Sequence, residues 1–167
     1  MKINSAKILR KKHAEGFGLL EAVVGVSIIS LSLFGTMLAF QLSQQVVREA
    51  GRNTQASFLA EEGMEALKLL RDASWQNKLS PLSIGANYYL NFDGSSWLSS
   101  AGNSYIDGIF ERKFILENVY RDANSDIAVS GALDQDARKA TVYISWLGRN
   151  GTTTKSVSSY ITNLFDN

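Results

Sequence analysis

The side chains best suited to chemistry are few, and the most unusual of them is Glu21. It is the only charged residue in the 26 residues at positions 17–42, FGLLEAVVGVSIISLSLFGTMLAFQL. A carboxylate at the centre of a membrane-spanning helix costs about 2.5–3.5 kcal/mol, so Glu21 needs a partner if it is buried there. The alternative is a carboxylate tolerated at the membrane surface, where its stem lies along the apolar layer.

A second group of side chains has the spacing of a cation-binding loop. Asp122, Asn124 and Asp126 alternate as at the start of a calcium loop, and oxygen ligands at alternate positions suit a hard cation. Further carboxylates follow at Asp134 and Asp136. However, Ile127 stands where an EF-hand loop has glycine and Leu133 where it has a bidentate glutamate. The alternative interpretation is therefore a solvated turn.

The residues that most enzymes use for catalysis are nearly absent. The chain has no cysteine, and its single histidine is His13, within the basic N-terminal stretch. A chain that loses this stretch has no histidine base, no thiol nucleophile and no thiolate metal site. Serines without a base are not nucleophiles. We therefore predict a protein that is not an enzyme and needs no cofactor.

The charge distribution argues against a nucleic-acid binder. The net charge is +1, but residues 1–16 carry five basic side chains and one acidic one. The other 151 residues hold 12 basic and 15 acidic side chains, a net charge of −3, without the basic patch of a nucleic-acid binder. The tryptophans Trp75, Trp97 and Trp146 form either core or, alternatively, a platform for a ligand.

The element that must position Glu21 is a long apolar helix. A helix over residues 17–42 spans about 39 Å, enough to cross the hydrocarbon core of a membrane. Arg10, Lys11 and Lys12 precede it directly, and positive charge stays on the cytoplasmic side. We predict an N-terminus inside and a C-terminal body outside. A plain signal anchor matches the hydropathy equally well, whereas a secretory signal usually has a shorter apolar region.

The order of features around this segment resembles a known family. The run KKHAEG followed by FGLLEAVVGVSII is similar to the class III signal of type IV prepilins and type II secretion pseudopilins. The match covers about residues 10–40 and includes leader charge, glycine, aromatic residue, glutamate and apolar run in that order. The form LLEAVVGVSI is most similar to minor pilins of the V type and pseudopilins of the I type. Many pilins have a proline in the apolar helix, whereas the only proline here is Pro81.

The resemblance implies a processing and assembly pathway. A prepilin peptidase would cut after Gly16, Phe17 would become the N-methylated first residue, and Glu21 would guide assembly. The implied partners are this peptidase and N-methyltransferase, an inner-membrane assembly platform, membrane lipid, and other copies or related pilins in a filament. The implied location is the cytoplasmic membrane before assembly and an envelope or cell-surface filament afterwards. A cut between Gly16 and Phe17 would expose an α-amino group able to neutralise a neighbour's Glu21 inside an apolar bundle.

The helical pattern continues over residues 43–72. Apolar side chains recur there at spacings of three and four, which predicts a stripe packed on the protein's own domain; the stripe comprises Ala56, Leu59, Ala60, Gly63, Met64, Ala66, Leu67 and Leu70. On the charged back face, Glu65 and Lys68 are spaced to form an ion pair. One helix over residues 17–72 would be about 84 Å long.

The remaining residues, 73–167, predict a small antiparallel sheet after a loop-rich connection. The pattern predicts strands over residues 88–92, 109–120, 140–147 and 156–164. A turn at residues 148–151 makes the last two strands antiparallel neighbours. The sheet and the apolar stripe of the helix complete one core. The resemblance implies the same arrangement, with a four-stranded sheet against the C-terminal half of a long helix.

We therefore predict an α+β protein with four segments. Residues 1–16 form a basic leader that is removed, 17–42 a transmembrane or filament-core helix, 43–72 an amphipathic continuation, and 73–167 the sheet domain. The functional hypothesis is a structural subunit of a type IV pilus-like or pseudopilus filament. The alternative is a membrane-anchored binding or accessory domain that does not polymerise and that serves adhesion, DNA uptake or secretion.

Overall fold

A single long helix precedes the sheet. The computed structural model describes residues 18–165, and the chain divides into two compact units, Met1–Val47 and Arg48–Asn167. Helix α1 (Gly18–Ala73) begins in the first unit and ends in the second, and a π-helical turn follows at Trp75–Leu79. The helix predicted from hydrophobic periodicity is thus confirmed over the described residues.

The second unit contains seven strands, which are β1 (Tyr88–Phe92), β2 (Trp97–Ser100), β3 (Tyr105–Ile106), β4 (Phe110–Arg121), β5 (Ile127–Ala128), β6 (Ala132–Gly148) and β7 (Gly151–Thr162). They form one antiparallel sheet, in which β2, β1, β4, β6 and β7 are neighbours in that order. The short strands β3 and β5 both pair with β4. The predicted α+β class, with a long helix packed on an antiparallel sheet, is therefore correct.

The four strands predicted from the sequence all exist, but the sheet is larger than expected. Strands β2, β3 and β5 were not predicted, and β6 begins eight residues before the predicted position 140. The turn between β6 and β7 is confirmed, since Gly148 pairs with Gly151 across a two-residue loop. Between Asn118 and Val119 the register of β4 against β6 shifts. This irregularity lets β6 continue towards Ala132 beyond its apolar part.

The core of the second unit lies between the helix and the inner face of the sheet. The helix contributes Ala56, Ala60, Gly63, Met64, Ala66, Leu67 and Leu70, all buried, as the periodicity predicted. The sheet contributes alternate residues of β4 and β6, among them Phe110, Phe114, Leu116, Val142, Ile144 and Trp146. On the solvent side of the helix, Lys68 Nζ lies 2.6 Å from Glu65 Oε1, which confirms the predicted ion pair.

Gly63 sets how closely the helix approaches the sheet. A Cβ atom at this position would lie 2.8 Å from Val142 Cγ1 and 3.2 Å from Arg112 Cδ. These distances are shorter than ordinary van der Waals contacts, so a side chain at this position would push the helix and β6 apart. Close packing of the core therefore requires glycine at position 63.

Among the described residues, Arg112 is the one charged side chain that is buried, and the sequence pattern did not predict its burial. It occupies an inward position of β4 and is only 5% exposed. Its Nη1 donates to Glu62 Oε2 at 2.7 Å, and its guanidinium carbon lies 4.8 Å from the centre of the Trp97 ring. An ion pair and a cation–π contact together offset part of the cost of removing water from the charge, while Arg112 Nε is buried without a hydrogen-bond partner among the described residues. The arrangement joins α1, β2 and β4.

The role of Gly63 predicts opposite effects for two glycines of the same helix. Gly63→Ala should lower the free energy of unfolding by about 1–3 kcal/mol, because overpacking outweighs the gain in helix propensity. Gly51→Ala should raise it by up to about 1 kcal/mol, since no atom lies within 4 Å of its added Cβ. Denaturant unfolding of the full chain in mild detergent, followed by tryptophan fluorescence, measures both. A Gly63→Ala protein as stable as the Gly51→Ala protein would contradict the packing account.

Candidate functional site

The apolar part of α1, from Leu19 to Val47, holds more than half of the large hydrophobic side chains that are exposed among the described residues. The helix is long and apolar enough to cross a membrane, and none of its most hydrophobic 18-residue window is buried within the chain. Large side chains are exposed along its whole length, including Leu19, Val24, Ile29, Phe34, Leu38 and Leu42. Such a surface in water is strongly unfavourable. A long apolar helix of this kind fits a membrane anchor.

The hydroxyl groups in this segment are satisfied by the helix itself. Ser27 Oγ donates to the carbonyl of Val23 at 2.7 Å, and Ser30 Oγ donates to that of Val26 at the same distance. Ser32 and Thr36 donate in the same way to carbonyls in the preceding turn. A hydroxyl bonded to its own backbone costs little in an apolar environment. These polar residues are therefore compatible with lipid or with a dry helix bundle.

Glu21 is the one ionisable side chain of the apolar segment. It lies in the first turn of α1 and its side chain is exposed, so the positive end of the helix dipole favours its negative charge. Within residues 18–165 no hydrogen bond or ion pair involves its carboxylate. Gly16 and Phe17, the predicted processing and methylation residues, lie outside the described residues.

The predicted calcium residues form a turn held by its own backbone. Asp122 Oδ1 accepts hydrogen bonds from the backbone N–H groups of Asn124 at 2.8 Å and Asp126 at 3.0 Å. Asp134 instead accepts a 2.6 Å bond from Arg121 Nε. Across residues 18–165, no three acidic, histidine or cysteine side chains come close enough to hold a metal. Hydrogen bonds from the backbone to the Asp122 carboxylate therefore hold this turn.

The three tryptophans do not form one platform. Trp75 and Trp146 are buried in the core, and Trp146 packs against Phe110 with ring centres 5.9 Å apart. Only Trp97 is partly open, beside Phe92 at 5.3 Å. These two rings border a shallow groove of about 280 Å³, which Lys78 also lines. Two of the three tryptophans are therefore structural.

The comparisons with known proteins identify no relative. No protein-family model, curated protein or solved structure matches this chain. The exposed apolar part of α1 and its single carboxylate, Glu21, are therefore the features from which a function can be inferred.

The ion pair at the end of the sheet predicts a pH-dependent stability. The hydrogen bond from Arg121 holds the pKa of the Asp134 carboxyl below its usual value. A carboxyl group whose pKa is lowered by folding stabilises the folded state when the pH is above the unfolded-state pKa of about 3.9. This stabilisation is lost as the pH falls through the pKa of the folded state. Asp134→Asn should therefore cost roughly 1 kcal/mol at pH 7, and the difference from the unsubstituted chain should shrink below about pH 4.

Urea unfolding at several pH values measures this difference. Asp126→Asn is the matched control, because no cation within residues 18–165 pairs with that carboxylate; its effect should stay within about 0.5 kcal/mol. A cost for Asp134→Asn that does not change between pH 7 and pH 3 would show that the ion pair is not its source.

Proposed function

We propose that this chain is a structural subunit of a type IV pilus-like or pseudopilus filament, processed by a prepilin peptidase and assembled through its N-terminal helix. The observation that carries the proposal is an unburied apolar half-helix with a single carboxylate in its first turn, continuing into a half that packs on an antiparallel sheet. Lipid can cover such a half-helix before assembly, and copies of it can cover one another afterwards.

The energetics favour burial of this surface in both states. Each large apolar side chain that leaves water contributes roughly 1.5–3 kcal/mol, and the exposed set covers successive turns from Leu19 to Val47. Moving the helix from lipid into a bundle brings no further hydrophobic gain, because lipid tails are equally apolar. A specific attraction must therefore supply the preference for the bundle.

Glu21 supplies that attraction in the proposed mechanism. After cleavage between Gly16 and Phe17, the new α-amino group of one subunit pairs with Glu21 of a neighbour. In a low-dielectric bundle the two charges neutralise each other, whereas either charge alone would be strongly unfavourable. The pair thus selects one axial register between adjacent helices. N-methylation of Phe17 leaves its amine able to carry this charge.

The proposal includes the location and the other partners predicted from the resemblance. The unassembled subunit lies in the cytoplasmic membrane with its N-terminus inside, where the peptidase and the assembly platform act on it. A second function is a membrane-anchored accessory domain that does not polymerise. One observation favours it: the sheet unit has its own closed core, formed by residues between Ala56 and Ile161, and could act alone at a membrane surface.

The N-terminus of the mature protein separates the two functions. Mass spectrometry of the chain isolated from its native membrane should find Phe17 as the first residue, carrying an N-methyl group. An intact Met1, or a cut near Ser43, would exclude the filament pathway and leave the anchored domain or a secreted one.

The role of Glu21 predicts a separation between insertion and assembly. Glu21→Ala should insert into the membrane normally but enter filaments at least about a hundredfold less, since an unpaired buried charge costs about 3–5 kcal/mol. Glu21→Gln should show the same defect, because it keeps the size and removes the charge. Ser27→Ala, one to two turns later in the same helix, is the matched control and should assemble normally. Quantitative blotting of membrane and filament fractions measures both steps, and undiminished incorporation of Glu21→Gln would refute the charge mechanism.

A further inference from the structure

One end of the sheet carries an exposed apolar and acidic surface. At this end β4 finishes at Arg121, β6 begins at Ala132 and β7 finishes at Thr162. The surface, here called the acidic end, comprises residues 121–138 and 163–165, and its exposed apolar side chains are Ile127, Val129, Leu133, Leu164 and Phe165. Val129 is 99% exposed at the tip between β5 and β6. An exposed side chain of this type at a loop tip is available for a contact with another molecule.

The same end carries a net negative charge. Residues 121–138 include four aspartates and two arginines, which gives a net charge of −2. One arginine is already paired, since Arg121 bonds Asp134. The other, Arg138, donates to backbone carbonyls and lies over the Trp75 ring. Asp122, Asp126 and Asp136 remain exposed.

The opposite end of the sheet combines exposed apolar residues with positive charge. There β4 begins at Phe110, and the turn between β6 and β7 projects. This surface, here called the basic end, comprises residues 48–52, 105–109 and 147–151, with Tyr105, Ile109 and Leu147 exposed. Leu147 is 72% exposed.

The charges of the basic end are fixed close to its apolar residues. Arg52 Nη1 donates to the carbonyl of Leu147 at 3.1 Å, which holds this cation beside the turn. Arg149 is exposed at the turn itself. Three arginines against Glu49 and Asp107 give the basic end a net charge of +1.

We propose that the acidic end of one copy docks on the basic end of the next copy in an axial row. The inference rests on the proposed function and adds to it the surfaces through which the sheet units touch. Two different surfaces on one chain form a heterologous contact, and a heterologous contact that does not close generates an open row in which all subunits point the same way. Such a row is compatible with N-terminal helices that all enter from one membrane.

The charges select this pairing over the alternatives. Contact between two acidic ends, or between two basic ends, brings like charges together, which disfavours both symmetric pairings. Contact between an acidic and a basic end brings opposite charges together around a dry centre, with Val129 and Leu147 as its most exposed apolar residues. In this arrangement Asp122 and Asp126, which the spacing had suggested as calcium ligands, lie at the polar rim of the contact.

Site-specific crosslinking in the full-length chain tests the proposal, because the chain has no cysteine of its own. Val129→Cys and Leu147→Cys, introduced together, should give a ladder of covalent multimers when assembled filaments are treated with a short bis-maleimide. When the two substitutions are carried on separate chains that are assembled together, crosslinking should give dimers only. Each dimer should contain one Val129→Cys chain and one Leu147→Cys chain. Either single-cysteine chain alone should give no dimer above background.

The control replaces Leu147→Cys by Ile84→Cys, an exposed apolar position outside both ends. A double-cysteine chain that crosslinks no better than this control would overturn the proposal, as would efficient dimers from Val129→Cys alone. If filaments still form in either case, the proposed function stands and only the end-to-end contact fails.

Charge reversal provides an independent readout. In the double-cysteine chain, Arg149→Glu should reduce crosslinking about tenfold, which corresponds to a loss of about 1.4 kcal/mol. Lys113→Glu reverses a charge within the β4–β6 ladder, where Lys113 pairs with Tyr143, outside the residues of both ends, and should leave the ladder of multimers intact. An unchanged ladder with Arg149→Glu, or equal losses with both substitutions, would contradict the charge complementarity.

Discussion

The structure depends on one constraint, which is that the apolar half of helix α1 cannot remain exposed to water. Its side chains have no cover within the chain, and the free energy of exposing them exceeds what a single domain of this size usually has in reserve. This surface is therefore expected to be covered by lipid or by an apolar surface of another molecule.

The second half of the same helix solves a different problem. From Ala56 to Leu70 its inner face consists of small and apolar residues, and Gly63 brings its backbone close to Val142. The sheet covers most of this stripe, so the second unit has a buried core of its own. The first half of the helix therefore needs other molecules to cover it, whereas the second half is part of a folded unit.

The sequence predicted the parts governed by regular periodicity. The recurrence of Ala56, Ala60, Met64 and Leu67 specified the buried face of the helix, and the pattern over residues 140–147 specified the apolar part of β6. The short strands β2, β3 and β5 escaped prediction because their turn-rich surroundings show no pattern. They exist through pairing, as Trp97 pairs with Phe92 and Ile106 with Phe110. The polar start of β6 was missed for the same reason.

The candidate site was predictable in part. Glu21 stood out because a charge in an apolar run is costly, and the structure places it in the first turn of the helix. The two charged ends of the sheet were not predictable, since only the strand register brings residues 121–138 together with 163–165. Likewise, no sequence pattern indicates that Arg112 is buried, because its partners Glu62 and Trp97 come from other elements of the chain.

Once lipid is removed, other copies of the chain should cover the apolar half-helix. The accessibility of one position in this half to a thiol reagent tests this most directly. Phe34 is exposed in the single chain, and Phe34→Cys would be its only thiol. In detergent-free assemblies, a membrane-impermeant maleimide should fail to label this thiol while labelling Ile84→Cys fully. A detergent-free monomer in which Phe34→Cys reacts as fast as Ile84→Cys would contradict the account.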